Sequence, residues 1–505
     1  MNEMILSDET AVPVKEEQAL AASPMTQQYN LTDFAPGIDA AFPDQFQELD
    51  CIVETTGDHL PDFLLGTYYL NGPARFAFNG LAYQHWLDGD GIVCALRFEK
   101  DAIRLRSRYI RSRKFEEEQK AGRPLFRTFG TTFAGSRLNR AGNGLESPVN
   151  VSVYSFGERL LAFGEQGLPW ELDPVTLETR GQFTFGGRLN DASPFSAHPK
   201  FDPETGEMFN FGIFFSAQTP RLYFYCFTPE GLRYRKSVPL EYPCSVHDFS
   251  ISNNYAIFYL SPYLLDINGL LREGRTVMDS LRWEPQRGSR LLVLAKKTGD
   301  LVASIPIGNR YCLHLINSFE QGACLTVDVL EFDEPLYDHY QPVPNLFQNV
   351  SRGGPVRFVI DLQSCTVAER ITLDYSLAPD FPAIDSRRSM QPCDEFWMLG
   401  ISATGDPGRK FFDQLVHASW TQPAVDDLYK SPPMRYLAGE PTFVGRPGSD
   451  EGVIICQEFD ADARKSYFLC FGAQKIAGGP IARIAVENIL YPGFHGLFRS
   501  EPAIF

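Results

Sequence analysis

Residues 222–240 read LYFYCFTPEGLRYRKSVPL: an apolar strand, a Pro-Glu-Gly turn and a second strand in which polar and apolar residues alternate. Alternation marks a strand with one buried face, and a short glycine-containing turn between two such runs marks a hairpin. The unit recurs at 95–110 (ALRFEKDAIRLRSRYI), 169–185 (PWELDPVTLETRGQFTF), 291–307 (LLVLAKKTGDLVASIPI), 356–373 (VRFVIDLQSCTVAERITL) and 467–486 (YFLCFGAQKIAGGPIARIAV), with a weaker copy at 408–420 (GRKFFDQLVHASW). Long amphipathic helical periods are nearly absent. Repeated hairpins over such a length read as an all-β chain and point to a β-propeller of about six to eight blades, whose radial repetition leaves only short edges. Two β-sandwiches in tandem are the alternative that the pattern leaves open.

The 505 residues are 44% hydrophobic and 13% aromatic, with 40 Phe and 21 Tyr, enough for a large core and an aromatic-lined cavity. A net charge of −17 with no compensating basic run repels phosphate backbones, so nucleic acid is not an expected partner. The ten cysteines are scattered without a CxxC pair, which reads as reduced thiols in a cytoplasmic protein. Residues 1–30, rich in Glu, Asp, Pro and Ser, read as a disordered tail that is neither signal nor transit peptide, leaving 31–505 as one propeller domain. No run of 18 apolar residues occurs, so no spanning helix is expected.

Four histidines stand in strand-like settings far apart along the chain: His198 in NDASPFSAHPKFDPETGEMFNFG (190–212), His247 in CSVHDFSIS, His314 in CLHLINSFE and His495 in YPGFHGLF. No local metal motif has such spacing, because zinc fingers and HExxH helices keep paired ligands within a few residues. Only a fold whose inner strands converge could gather them. His85, in HWLDGDG, reads as part of a turn, and His59, His339 and His417 read as surface groups. There is no GxGxxG before a helix, no P-loop and no GxSxG elbow, which removes nucleotide cofactors and serine hydrolysis.

Eight blocks in order resemble the signature blocks of the carotenoid cleavage oxygenase family: LLGTYYLNGPARF (64–76), HWLDGDGIVCALRF (85–98), RYIRSRKFEEEQKAGRP (108–124), LLAFGEQGLPWELDPVTLETRG (160–181), AHPKFDPETGEMFNFG (197–212), VHDFSIS (246–252), GEPTFV (439–444) and GFHGLF (493–498). The resemblance runs from about Asp50 to the C-terminus. It implies a seven-bladed propeller with a loop and helix cap over an axial site that holds one Fe(2+) per chain through His198, His247, His314 and His495. Ligating histidines usually give their second ring nitrogen to a carboxylate. In the family three glutamates do so; here Glu165 and Glu440 match two, and Asp380 of DFP stands where the third is usually Glu.

The implied activity is a non-haem iron dioxygenase that cleaves a C=C bond of a carotenoid or apocarotenoid with O2 to two carbonyl products. Its partners would be a hydrophobic polyene and O2. The stretch SPYLLDINGLLREG (261–274), with Tyr263, Leu264, Leu265, Ile267, Leu270 and Leu271 beside Arg272 and Arg275, suggests peripheral membrane contact. Three alternatives remain. A stilbenoid-cleaving branch would use a tyrosine resembling Tyr109 and a lysine just before the first glutamate, where this chain has Gly164. A retinoid isomerohydrolase would act without incorporating O2. A non-catalytic binding propeller would need no four-imidazole set at all. The ESPVNVSV block (146–153) and Asp380 mark a divergent member, to which no single relative's specificity transfers.

Overall fold

The computed structural model describes residues 32–57, 60–138, 145–336, 338 and 340–500. The tail 1–30, His59 and His339 lie outside them. The described chain is overwhelmingly β, its longest helix being α1 (Arg113–Ala121), which Ser112 caps through its side chain and Gly122 ends in a left-handed conformation.

The strands form a propeller arrangement of antiparallel sheets. Five sheets stand free with four strands each, and the innermost strand of each comes first in sequence: β1 (Ser152–Phe156), β2 (Lys200–Phe201), β3 (Ser250–Ile251), β4 (Tyr311–Gln321) and β5 (Asp380–Ala383). A nine-stranded sheet carries β6 (Arg435–Gly445) at one end and β7 (Gly496–Ser500) at the other. Six of the end strands form an arc of neighbours: β3 packs on β4, β4 on β5, β5 on β6, β6 on β7 and β7 on β1. The large sheet therefore curls until its own two ends touch.

Seven separate blades are thus not what the sheets show. The cause is the strand Asp50–Gly57, which belongs to two neighbourhoods. Its first half pairs with Ile103–Tyr109 and its second half with Ala482–Val486, fusing what would be two units into one.

The six strong hairpins of the sequence all appear. In 222–240 the partners run from Leu222 opposite Val238 to Thr228 opposite Gly231, with a register shift at Cys226/Phe227. Gly231 takes φ +136°, a conformation that L side chains rarely adopt, so glycine is required there. The weaker copy at 408–420 is not a hairpin. Gly408–Arg409 pairs with Thr32–Asp33, whereas Gln414–Ser419 pairs with Glu395–Gly400 and Leu428–Lys430. Phe411 and Phe412 between them are buried in the main core, which pulls the chain off the sheet.

Candidate metal centre and adjoining cavity

Each of the four histidines stands at an innermost strand. His198 precedes β2 by two residues, His247 precedes β3 by three, His314 lies within β4, and His495 immediately precedes β7. Strand β4 breaks register with its neighbour between Cys312 and Leu315, and such a bulge redirects side chains locally. His314 sits inside that break.

The fold brings these four imidazoles together, with one nitrogen from each lying within 4.8 Å of the others. Ring centroids of contacting pairs are 4.4 to 5.3 Å apart. Nε2 of His198 and Nε2 of His247 are 2.8 Å apart. On the far side of three rings stands a carboxylate: Nδ1 of His247 is 2.8 Å from Glu165 Oε2, Nδ1 of His314 is 2.5 Å from Asp380 Oδ1, and Nδ1 of His495 is 3.3 Å from Glu440 Oε2. His198 forms no such pair among the described residues. Asp380 Oδ1 also accepts from the Phe381 amide at 2.8 Å, and Phe381 adopts φ +54°.

Electrostatics follows from this packing. Burial, reinforced by the other three rings, pushes His198 far below the ordinary imidazole range, so it is neutral. Burial likewise lowers His495 against the opposing pull of Glu440. At His247 burial works against the charged form, but Glu165 outweighs it and the pKa rises. Burial would raise Asp380, yet the adjoining His314 holds it below the usual carboxylate range.

The donor set fits a divalent transition-metal ion. Carboxylates that engage Nδ1 leave Nε2 for the centre, which is how ligating imidazoles are usually oriented. Nε2 of His314 is sealed from solvent and has no hydrogen-bond partner among the described residues, an uncompensated buried atom that a metal would satisfy. Four neutral donors leave the ion its full charge and, in octahedral geometry, two free positions.

A pocket of about 30 Å³ adjoins the cluster, walled by Trp86, Val151, Tyr340, Phe381 and Phe494 beside His247, His314 and His495. A larger cavity of about 200 Å³ lies next to it, sharing Leu87 and reaching Glu165. Its walls are mainly apolar, including Phe129, Phe195, Phe215, Leu265 and Val277. Of these apolar lining residues sequence reasoning singled out Leu265 alone, and for membrane contact, although Phe381 and Phe494 are direct neighbours of Asp380 and His495.

Other expectations need correction. The apolar stretch 261–274 is not a surface anchor: Tyr263, Leu264, Leu265 and Leu270 are buried, and of its large side chains Leu271 stands out at 39% exposure. Leu265 and Leu270 pack with Val277, and Leu265 forms part of the larger cavity's wall. Arg127 pins this segment by donating to the carbonyls of Leu270 (2.7 Å) and Arg275 (3.1 Å). Tyr109 lines neither cavity; its hydroxyl donates to the Phe46 carbonyl at 3.2 Å and accepts from the Phe46 amide at 3.1 Å. His417 is not a surface group but half-buried, stacked on Trp397 at 5.3 Å with Nδ1 2.9 Å from Asp427. His85 does sit in a turn: its Nδ1 accepts from the Leu87 amide at 3.0 Å while Asp88 Oδ2 accepts from its own amide at 2.9 Å. Among the described residues no helix is long and apolar enough to cross a membrane.

Gly164, which precedes Glu165, has no room for a side chain. A Cβ there would fall 2.1 Å from Ser147 Oγ.

Residues 42–500 match the family described as retinal pigment epithelial membrane protein, RPE65. The chain is 28% identical to apocarotenoid-15,15'-oxygenase of Synechocystis sp., over 94% of this chain and 98% of that protein. It is equally 28% identical to isoeugenol monooxygenase of Pseudomonas nitroreducens, over 89% of this chain and 95% of the relative. Among solved structures, cobalt-substituted Synechocystis ACO superposes with a TM-score of 0.83 at 26% identity, covering 93% of this chain and all of that one. A match running through nearly the whole described chain, joined to the same fold, places this protein in the RPE65 family of carotenoid cleavage oxygenases.

Proposed function

We propose that this chain is an Fe(2+)-dependent dioxygenase that cleaves a C=C bond of a carotenoid or apocarotenoid into two carbonyl products, with O2 as co-substrate. The observation that carries this is the convergence of His198, His247, His314 and His495 from four strands, with Glu165, Asp380 and Glu440 each behind a different ring. The ion would be held by the four imidazoles, and when bound it would supply O2 activation. Everything else falls to the chain. The carboxylates fix ring orientation and tautomer. Phe381, Phe494 and Trp86 exclude water beside the centre. The larger apolar cavity offers a dry wall along which a conjugated substrate can be aligned, and alignment decides which double bond is presented.

Asp380 takes the place of the usual glutamate in this reading, with its shorter side chain reaching His314 from the register shift in β5 that contains Phe381. The architecture is taken as seven-bladed, the nine-stranded sheet counting as two blades joined by Asp50–Gly57.

A second reading, cleavage of a phenolic propenyl or stilbenoid side chain, is favoured by relatives named isoeugenol monooxygenase and resveratrol cleavage oxygenase. Against it, Tyr109 is turned into the core and position 164 admits no lysine without displacing Ser147.

The test is aerobic turnover by iron-loaded protein on a carotene, an apocarotenal, a hydroxystilbene and isoeugenol, with products identified by mass. Aldehydes from a polyene, absent under argon, are the expected result, and cleavage of the phenolic substrates alone would transfer the protein to the second reading. His314→Ala should abolish iron binding and cleavage together. Activity retained in that variant would overturn the four-histidine centre.

A further inference from the structure

A carboxylate outside the set just described lies where three of the ligand-bearing strands meet. Asp248 follows His247, and its side chain is 2% exposed. Its Oδ2 accepts from the Leu315 amide at 2.9 Å, and its Oδ1 lies 2.8 Å from Nζ of Lys200. Leu315 is the residue after His314, and Lys200 follows His198 by two. One carboxylate therefore connects the immediate neighbourhoods of His198, His247 and His314.

The local backbone explains why such a tie is needed. Successive side chains of an extended segment point to opposite sides, so His247 can face the axis while Asp248 reaches back between the sheets. Strands β2 and β3 have only two residues each, too few for ladder bonds alone to fix the segments in front of them. In β4 the register breaks on both sides of Leu315, and a one-residue slip in such a break would turn His314 away. The bond from the Leu315 amide pins the break in place. His495 is held separately, through its carbonyl accepting from the Asn71 amide at 3.1 Å and its amide donating to the Val151 carbonyl at 3.2 Å.

We propose that Asp248, braced by Lys200, is a positioning residue that sets the mutual spacing of His198, His247 and His314, and with it the affinity and coordination geometry of the metal centre. The inference rests on the metal reading above. Lys200 brings a cation within reach of the cluster, and Asp248 both compensates it and holds it off the rings.

The decisive experiment is titration of metal-free protein with Co(2+), read by calorimetry and by the visible d–d bands, with thermal unfolding as a fold control. The set is wild type, Asp248→Asn, Lys200→Met and Lys200→Arg. Asp248→Asn is expected to weaken Co(2+) binding about 10- to 100-fold, the range typical of groups that orient ligands. Lys200 keeps 26% of its side chain exposed, so Lys200→Met should fold normally, yet bind Co(2+) about tenfold more weakly with shifted bands. Lys200→Arg should restore both affinity and spectrum. If Asp248→Asn does not fold, the Lys200 pair decides. Wild-type affinity and bands in Lys200→Met would overturn the proposal while leaving the metal centre standing. Failure of the wild type to bind Co(2+) or Fe(2+) would overturn the centre and this proposal together.

Discussion

Three of the four clustered imidazoles lean on an acid, and the acids are not equivalent. Asp380 reaches His314 at 2.5 Å where Glu440 reaches His495 at 3.3 Å, so the shorter side chain makes the tighter contact. The contact lies at a register shift in β5, where Phe381 takes φ +54° and its amide donates to the same Asp380 oxygen. His85 shows the opposite use of a histidine. Burial holds its pKa at about 3, against 6.5 when exposed, and its Nδ1 serves as an acceptor for the Leu87 amide. Because the folded pKa is depressed, the unfolded chain binds more protons between pH 6.5 and 3. Stability is then lost as pH falls through that window, by up to about 1.4 kcal/mol per pH unit from this group. In metal-free protein, His85→Asn keeps an acceptor for the amide without a titrating ring. Its Tm relative to wild type should rise steadily as pH drops from 7 to 4; parallel melting curves would reject this.

At the scale of elements, legibility followed from periodicity. The six strong hairpins declare themselves because an apolar-rich strand and a second, more polar strand flank a recognisable turn in each. The innermost strands β2 and β3 could not, since two residues carry no period. The stretch 408–420 failed for a related reason: Phe411 and Phe412 leave the sheet to enter the core, and composition alone does not record that change of partner. The segment 261–274 is the clearest case of one pattern with two meanings. An apolar cluster beside arginines suits a lipid surface or a cavity wall equally well, and only the packing of Leu265 and Leu270 against Val277 separates them. Leu264→Ser and Leu265→Ser should each destabilise the protein by about 2–5 kcal/mol, as core truncations do, with no change in liposome co-sedimentation. Reduced liposome binding at unchanged Tm would reverse that assignment.

For the whole molecule, the four-histidine site was legible only as a constellation. No spacing links His198 to His495; the ordered blocks did, and the physical reason is that each stands at or just before the innermost strand of its sheet. What the blocks could not reveal was side-chain direction, which depends on register with neighbouring strands. Tyr109 therefore matched a block and still points into the core. The nine-stranded sheet is continuous through Asp50–Gly57, where Val53 is the buried residue at the changeover between partners. Val53→Asp should cost at least about 2 kcal/mol through lost burial and a desolvated charge. Metal release and the loss of tertiary signal should then occur in a single transition. A variant that releases metal well before it unfolds would show that the fused sheet and the centre are independent.

The pairing of Asp50–Gly57 with Ala482–Val486 also orders events during synthesis. A ribosome releases the early half of that pair long before the late half exists, and His495 emerges later still. Between residues 314 and 495 the growing chain carries three of these imidazoles without their fourth, beside an unclosed sheet edge. The complete four-imidazole set therefore exists only once translation has passed residue 495, so the last-made segment of the chain completes the centre.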